Sequence, residues 1–194
     1  VRMMDCVELF CEEASEGMQT DEHDHSHEGH SHGESEEYDE HVWTSPANAV
    51  LITEAICEAV SVCDSKNSAY YRENTEVYTE KLRTLDDSFK ALVDGCAHSQ
   101  IVIADRFPML YFTERYGIDY YAAFPGCSAQ VEVNPVTIAF LCDKVKSEGI
   151  PVIFKVDMSN GNVARSISEQ TGAVVETLYS CHVISAEDFQ NGET

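Results

Sequence analysis

Residues 101–124, IVIADRFPMLYFTERYGIDYYAAF, decide the fold because two apolar runs in this stretch enclose one helical pattern. Residues 101–104 predict a short strand that ends at Asp105. Residues 107–116 then predict a helix, and residues 119–124 predict the next strand. A strand, a helix and a strand in this order, with short links, form one unit of a parallel sheet.

The alternation of strand and helix continues to residue 178. Asn134 and Pro135 predict the start of a further helix, which Gly149 ends. The remaining elements are a strand, a helix and a strand, at residues 151–156, 162–171 and 173–178. Alternation with short connections indicates an α/β fold with a parallel, doubly wound sheet.

Two helices are predicted before the sheet. Ser45 followed by Pro46 is typical of a helix N-terminus, and the apolar pattern extends this helix over residues 46–63. A second helix is predicted over residues 67–95, where apolar side chains recur three, four or seven residues apart. At a rise of about 1.5 Å per residue this helix is about 40 Å long, which suits a link between two lobes. A coiled coil is the alternative.

The charge of the chain restricts its partners. The 194 residues carry a formal net charge of −23, and the sequence pI is about 4.4. No basic stripe is present to offset phosphate charge, which argues against binding to nucleic acid. Anionic membrane surfaces are disfavoured for the same reason, whereas divalent cations suit such a surface.

Residues 21–41, DEHDHSHEGHSHGESEEYDEH, hold six of the eight histidines of the chain. The tract contains no Val, Ile, Leu, Met or Phe, so it cannot bury itself in a core. The alternate spacing of its histidines fits no single helix face and predicts a flexible, multidentate metal collector. A solvated acidic loop is the alternative. The histidines of this collector are His23, His25, His27, His30 and His32.

Polar residues follow each predicted strand, where an open parallel sheet binds its ligands. They are Asp105-Arg106, Cys127-Ser128, Asp157 and Cys181-His182. Asp105 and His182 are candidate metal ligands by residue type. Cys127 and Cys181 stay open between a disulfide bond, thiolate ligands and inert thiols.

Motifs for catalysis and nucleotide binding are absent from the sequence. It contains no G-x-G-x-x-G, Walker, G-x-S-x-G, H-E-x-x-H or C-x-x-C motif. We therefore predict a binding protein and not an enzyme. No run of 18 apolar residues and no signal peptide is present, and the start at Val1 predicts a fragment that lacks its secretion signal.

The segment His41-Val42-Trp43-Thr44-Ser45-Pro46, behind a His-rich acidic loop, resembles a family motif, H-[VL]-W-x-S-P. This motif belongs to the solute-binding proteins of zinc and manganese ABC importers. Residues 107–117, 149–154 and 169–173 are similar to later segments of that family, and the likeness runs from about residue 35 to the end.

The resemblance implies two α/β lobes that are joined by one rigid helix and hold the metal between them. The chain would then contain the tail of an N-terminal lobe with the His-rich loop, the linking helix and the C-terminal α/β lobe, at residues 1–65, 66–96 and 97–194. Most of the N-terminal lobe, with its own metal-binding histidine, would be missing.

The resemblance also implies metal ligands. His41 matches a ligand of the family. Where the family has His or Glu in H-D-A-F, this chain has Asp105-Arg106-Phe107. Arg106 cannot bind a cation, so either Asp105 takes this place or the ligand is lost. The family's last ligand is usually an Asp after the final strand. At that place this chain has Tyr179-Ser180-Cys181-His182, and His182 is the expected substitute. Imidazole and thiolate ligands favour zinc over manganese.

The function that the resemblance implies is extracytoplasmic capture of a divalent transition metal, with zinc favoured. The metal would be delivered to an ABC permease by a monomeric protein, which is anchored as a lipoprotein in its full-length form. The alternative is a metal-buffering or storage α/β protein whose His-rich loop binds zinc weakly and has no role in transport.

Overall fold

The computed structural model describes residues 1–12, 14–19, 37–126, 133–184 and 186–192. Its helices are α1 (Pro46–Cys63), α2 (Ser68–Asp94), α3 (Leu110–Tyr116), α4 (Pro135–Ser147), α5 (Asn162–Thr171) and α6 (Ala186–Gln190). Its strands are β1 (Gln100–Phe107), β2 (Asp119–Pro125), β3 (Val152–Val156) and β4 (Val174–Leu178). Short 3-10 turns lie at Met3–Cys6, Val42–Thr44 and Ser65–Asn67.

The four strands form one parallel sheet in the order β2-β1-β3-β4. The predicted parallel α/β fold is therefore confirmed. The strand order reverses between β1 and β3, because β2 is added on one side of β1 and β3 on the other. In open sheets of this kind, ligands bind at the carboxyl ends of the strands beside such a reversal.

Helices α4 and α5 pack on the sheet and bury its main core. Asn134 starts α4, since its side-chain oxygen accepts a hydrogen bond from the Val136 N–H at 2.8 Å and Pro135 occupies the first turn. The core residues of these helices and of the central strands are almost fully buried. They include Val102, Ile153, Leu141, Val145, Ala164 and Ile167.

The predicted boundary between the first strand and the next helix is wrong. Strand β1 continues to Phe107, so Asp105 lies inside the strand and does not follow it. Helix α3 begins only at Leu110. Pro108 explains the difference, because the residue before a proline is disfavoured in the helical conformation and Phe107 therefore stays extended.

The chain divides into two compact units, each built from separate segments. Unit 1 comprises Val1–Phe10, Asp39–Ser99 and Met109–Ile118. Unit 2 comprises Cys11–Tyr38, Gln100–Pro108 and Asp119–Thr194. Unit 1 contains α1, α2 and α3, and unit 2 contains the sheet with α4, α5 and α6. The predicted division at residues 65 and 96 stays a prediction.

Both predicted helices before the sheet are present in unit 1, as α1 and α2, and they contact each other. Helix α1 has the length and apolar composition that a membrane span needs, a property that core helices of soluble proteins share. Cys57 of α1 is buried, as is Cys142 of α4, whereas Cys63 and Cys96 are exposed.

Candidate metal centre

His41 lies in unit 1, directly before the turn Val42–Thr44 and helix α1. Its carbonyl oxygen accepts hydrogen bonds from the N–H and the hydroxyl of Thr44, at 3.1 and 2.8 Å. Ser45 then caps α1 and accepts a hydrogen bond from the Asn48 N–H at 3.5 Å. The side chain of His41 is only 11% exposed. The turn and the helix cap thus fix the main chain at this histidine.

Two side chains hold the imidazole ring of His41. Asp39 Oδ1 lies 3.2 Å from His41 Nδ1, and the same oxygen accepts a hydrogen bond from the His41 main-chain N–H at 2.7 Å. The ring of Trp43 lies against the imidazole, with 5.4 Å between the ring centroids. A histidine held at one ring nitrogen presents the other as a metal-binding atom, and such a donor suits zinc.

Asp39 is in turn held by Tyr111 of helix α3. The Tyr111 hydroxyl donates a hydrogen bond to the Asp39 carbonyl oxygen at 2.8 Å and accepts one from the Phe10 N–H at 3.3 Å. The Asp39 N–H donates to the Phe10 carbonyl at 3.0 Å. Asp39 and Tyr111 are 1% and 2% exposed, so these hydrogen bonds are shielded from water. They fix the main chain of Asp39.

Sequence reasoning missed both Asp39 and Tyr111. Asp39 is one of nine acids in the His-rich tract, and only its position two residues before His41 distinguishes it. Tyr111 stands in an apolar helix, where an aromatic side chain usually indicates core packing. Its hydroxyl contact lies 72 residues away in the chain, and no local pattern predicts such a contact.

Asp105 lies in unit 2, half-buried within β1. Its Oδ1 accepts a hydrogen bond from the Arg106 N–H at 2.9 Å. The pairing of β1 with β2 shifts register between Ile103 and Arg106, so Asp105 lies at an irregularity of the ladder. Such irregularities often re-aim side chains next to functional sites. Asp105 thus remains at the carboxyl end of the strand beside the reversal of strand order.

His182 and Cys181 lie in the turn that follows β4, also in unit 2. Asp157, which follows β3, accepts a hydrogen bond from the Ser180 N–H at 2.9 Å, and the Ser180 hydroxyl accepts one from the His182 N–H at 3.3 Å. Asp157 therefore shapes the turn that carries His182. This agrees with the structural role that Asp after a strand usually has.

Cys181 has a φ of +57°, in the left-handed region that residues other than glycine rarely adopt. Although the residue is exposed, desolvation of its sulfur and then the nearby Asp157 carboxylate raise the pKa of the Cys181 thiol. The thiol is therefore protonated at neutral pH, and a metal would have to displace this proton before it could bind the sulfur.

The other predicted site residues are Cys127, His23, His25, His27, His30 and His32, and they lie outside the described residues. Among the residues that the structure does describe, no three His, Cys, Asp or Glu side chains converge in a ready-made metal site. Of the described candidates, His41 belongs to unit 1, and Asp105 and His182 belong to unit 2.

Comparison with known protein families identifies the class of this chain. Residues 7–191 match the family described as the periplasmic zinc-uptake complex component A, ZnuA, and the chain belongs to this family. The predicted resemblance is thereby confirmed. The family is a metal-binding component of an uptake system and is not a family of enzymes.

Individual relatives agree with this assignment. The chain is 29% identical over 174 residues to the zinc-binding lipoprotein AdcA of Streptococcus pneumoniae, a match that covers 89% of this chain and 33% of the relative. It is 25% identical over 169 residues to the zinc-binding protein AdcA of Streptococcus pyogenes serotype M6, with 87% and 32% covered. The chain thus spans about a third of the length of these curated relatives.

A solved structure shows the same fold. The crystal structure of the Zn(II)-bound ZnuA-like domain of Streptococcus pneumoniae AdcA superimposes with a TM-score of 0.68 at 25% sequence identity. The superposition covers 81% of this chain and 58% of that domain.

Proposed function

We propose that this protein is the extracytoplasmic solute-binding component of an ABC importer, which captures zinc and delivers it to a permease in the membrane. The observation that carries the proposal is the buried imidazole of His41, held at Nδ1 by Asp39 within a chain of the zinc-uptake family. Imidazole donors favour zinc over manganese, which prefers carboxylate and other oxygen ligands. The names of the streptococcal relatives, which bind zinc, support this choice.

The proposed ligands of the captured ion are His41, Asp105 and His182. Imidazole nitrogen and carboxylate oxygen are both common zinc ligands, and zinc usually takes four. His23, His25, His27, His30 and His32 are proposed as an auxiliary collector, which raises the local concentration of the ion. Cys127 and Cys181 remain proposed alternatives, as a disulfide or as thiolate ligands.

The remaining features of the proposal follow from the uptake role. The protein binds and releases the ion without catalysis, because the sequence contains no motif for hydrolysis or for nucleotide binding. It acts as a monomer. A lipid anchor on the full-length protein keeps it at the outer face of the membrane, as the lipoprotein name of the pneumococcal relative suggests.

The proposal is tested by zinc affinity, measured by competition with a chelator on the intact protein. We expect one tight site, and we expect His41→Ala to weaken it at least about tenfold, since even partners of a ligand contribute that much. His98→Ala is the matched control, because His98 is an exposed histidine of the same unit. Deletion of residues 22–33 should change the affinity little.

Other outcomes would contradict the proposal. Equal affinities for the wild type and His41→Ala would remove His41 from the site. Several weak sites that vanish with residues 22–33 would support the storage alternative, in which the His-rich loop only buffers the ion. Tighter binding of manganese than of zinc would overturn the choice of metal.

A further inference from the structure

We propose that Asn160 is a site of spontaneous chemical modification, at which the main-chain nitrogen of Gly161 attacks the side-chain amide and converts the asparagine to an acid. Ser159 accepts the proton of the attacking nitrogen, and the Asn162 N–H binds the oxygen on which negative charge develops. The site is the turn between β3 and α5 in unit 2, and it does not depend on the proposed capture of metal.

The reaction is a ring closure followed by hydrolysis. A bond forms between Gly161 N and Asn160 Cγ while the bond between Cγ and Nδ2 breaks, and ammonia leaves with the proton that Gly161 N carried. Water is the only other reactant, and it opens the cyclic imide. Opening at Cγ gives aspartate, whereas opening at the main-chain carbonyl carbon gives isoaspartate, in which the main chain runs through the side-chain carbon.

The Asn160-Gly161 pair is accessible and sterically open. Asn160 is exposed, so water and hydroxide reach its amide. Gly161 has no Cβ to shield the nitrogen that attacks. The packing also requires glycine here, because its φ is +66° and an added Cβ would lie 3.0 Å from Lys155 Cδ. The fold therefore keeps a reactive pair of residues in an exposed turn.

The first turn of α5 supplies a hydrogen-bond donor for the amide oxygen of Asn160. The Asn162 N–H donates to Asn160 Oδ1 at 2.9 Å. Attack at Cγ turns this oxygen into an oxyanion, and a donor that already points at it stabilises the charge as it develops. The same hydrogen bond holds the amide group toward the residues that follow it, among which Gly161 provides the attacking nitrogen.

Ser159 supplies an acceptor for the proton of that nitrogen. The Gly161 N–H donates to Ser159 Oγ at 3.2 Å, within reach for proton transfer. A hydroxyl can accept one proton and give up its own, so it can pass a proton on to water. In the one other Asn-Gly pair of the sequence, Asn191-Gly192, the Gly192 N–H donates to the Phe189 carbonyl at 3.2 Å. A carbonyl has no proton to pass on, so ring closure should be slower at Asn191.

The two products differ in their effect on α5. In the aspartate product the carboxylate keeps the bond from the Asn162 N–H as a charge-assisted one, and its negative charge lies at the helix N-terminus, where it is favourable. The isoaspartate product adds a carbon to the main chain directly before α5, whose Ala164 and Ile167 are fully buried. We therefore expect the aspartate product to keep the fold and the isoaspartate product to loosen α5.

The test follows both Asn-Gly pairs while the intact protein is incubated at neutral and at mildly alkaline pH. Mass spectrometry of its peptides measures the conversion of amide to acid at Asn160 and Asn191 in the same sample, and an isoaspartyl methyltransferase identifies isoaspartate. We expect conversion to be several-fold faster at Asn160 than at Asn191, and faster at alkaline pH because base removes the Gly161 proton. Unfolding in urea should make the two rates equal, since it abolishes both arrangements.

Variants of the turn locate the chemistry. Ser159→Ala should slow conversion at Asn160 several-fold without changing the rate at Asn191, whereas Ser159→Thr, which keeps a hydroxyl, should keep the wild-type rate. Ser147→Ala, at an exposed serine of α4 in the same unit, is the matched control. Urea unfolding of each variant confirms its fold. Asn160→Asp, which creates the aspartate product directly, should unfold at the same urea concentration as the wild type or at a higher one.

Other outcomes would contradict the proposal. Conversion at Asn191 as fast as at Asn160, or the same ratio of the two rates in folded and unfolded protein, would overturn it. A wild-type rate at Asn160 in a folded Ser159→Ala variant would refute the part assigned to Ser159. Unfolding of Asn160→Asp at a lower urea concentration than the wild type would refute the expected tolerance of the aspartate product.

Discussion

Gly17 shows at the scale of one residue how the segment before the His-rich tract is fixed in unit 2. Its φ is +81°, and a Cβ at this position would lie 2.1 Å from Cδ1 of Phe140. Only glycine therefore fits, both because of the left-handed backbone and because the aromatic ring leaves no room. Gln19, two residues later, donates its N–H to the Ala123 carbonyl of β2 at 3.0 Å.

We expect Gly17→Ala to lower the free energy of unfolding by about 2–4 kcal/mol, of which about 1 kcal/mol arises from the backbone and the rest from the clash. Gly172→Ala is the matched control, since Gly172 has a φ of +80° but no atom within 4 Å of the added carbon. Urea unfolding of both variants measures the difference. Equal losses would show that Phe140 moves aside at no cost.

Asp39 marks the limit of sequence reasoning at this scale. His41 could be predicted, because the residues after it form a motif with a helix cap at Ser45. The acids around it look alike in the sequence, and burial separates Asp39 from Glu37 and Glu40, the two other acids of the tract that the structure describes. Asp39 also accepts a hydrogen bond from Tyr111, which is distant in the chain, so neither the spacing nor the composition of the tract predicts its surroundings.

Helix α2 shows the same limit at the scale of an element. Its existence and ends were predicted to within a residue or two, but its buried face was not. Tyr78, Leu85 and Leu92, which belong to the apolar side chains that recur three, four or seven residues apart, are exposed, whereas Thr79 and Asp86 are buried. Tertiary partners decide the face here, because Arg115 and Tyr116 of α3 bind Asp86.

The contact of α2 with α3 is a charged one. Arg115 donates from Nε and Nη2 to the two carboxylate oxygens of Asp86, at 3.0 and 2.5 Å, and the Tyr116 hydroxyl donates at 2.9 Å. The rings of Phe89, Phe112 and Tyr116 pack against one another, with centroids about 5 to 6 Å apart. The hydrogen bond from Arg115, opposed by desolvation and supported by Tyr116, lowers the pKa of the Asp86 carboxyl.

We expect Asp86→Asn to destabilise the protein at neutral pH and to lose this effect on acidification. The pKa of Asp86 is lower in the folded than in the unfolded state, so its stabilising contribution is complete above the unfolded value of about 4. The contribution is lost as the pH falls through the folded value. Denaturant unfolding between pH 7 and pH 3 should show the wild type and variant converging.

Asp87→Asn is the control for this experiment, because Asp87 is the exposed neighbour on the same helix and carries the same charge. It should follow the wild type throughout. A constant gap between the wild type and Asp86→Asn down to pH 3 would mean that Asp86 contributes through packing and not through its charge.

At the scale of the whole molecule, the order of strands and helices could be predicted because it follows from alternation along the chain. The end of strand β1 at Phe107 could not be predicted from the apolar run alone. Pro108 determines it, because a residue before proline is disfavoured in the helical conformation. The composition of the two units could not be predicted, since α3 belongs to unit 1 although the strands on either side of it belong to unit 2. Only contacts between residues far apart in the chain show that α3 belongs to a different unit from the strands that flank it.

We expect zinc to stabilise the intact protein by mass action. Free zinc at 100 times its Kd should raise the free energy of unfolding by about 2.7 kcal/mol, provided that only the folded state binds it. Thermal unfolding with and without zinc measures this effect. Magnesium at the same concentration is the control, because the net charge of −23 lets any divalent cation screen repulsion. Equal stabilisation by both ions would indicate screening and no specific site.

The hydrogen bond between Gln19 and Asn134 spans 115 residues and has a consequence for biosynthesis. A ribosome adds roughly 5–20 residues per second, so Gln19 emerges roughly 6–23 s before its partner exists. Throughout that interval the segment around Gln19 lacks the residues of β2 and α4 that it contacts in the folded protein. The dense negative charge around it keeps such a segment hydrated and away from other chains. We therefore expect the acidic residues of this region to keep the nascent chain soluble before it folds.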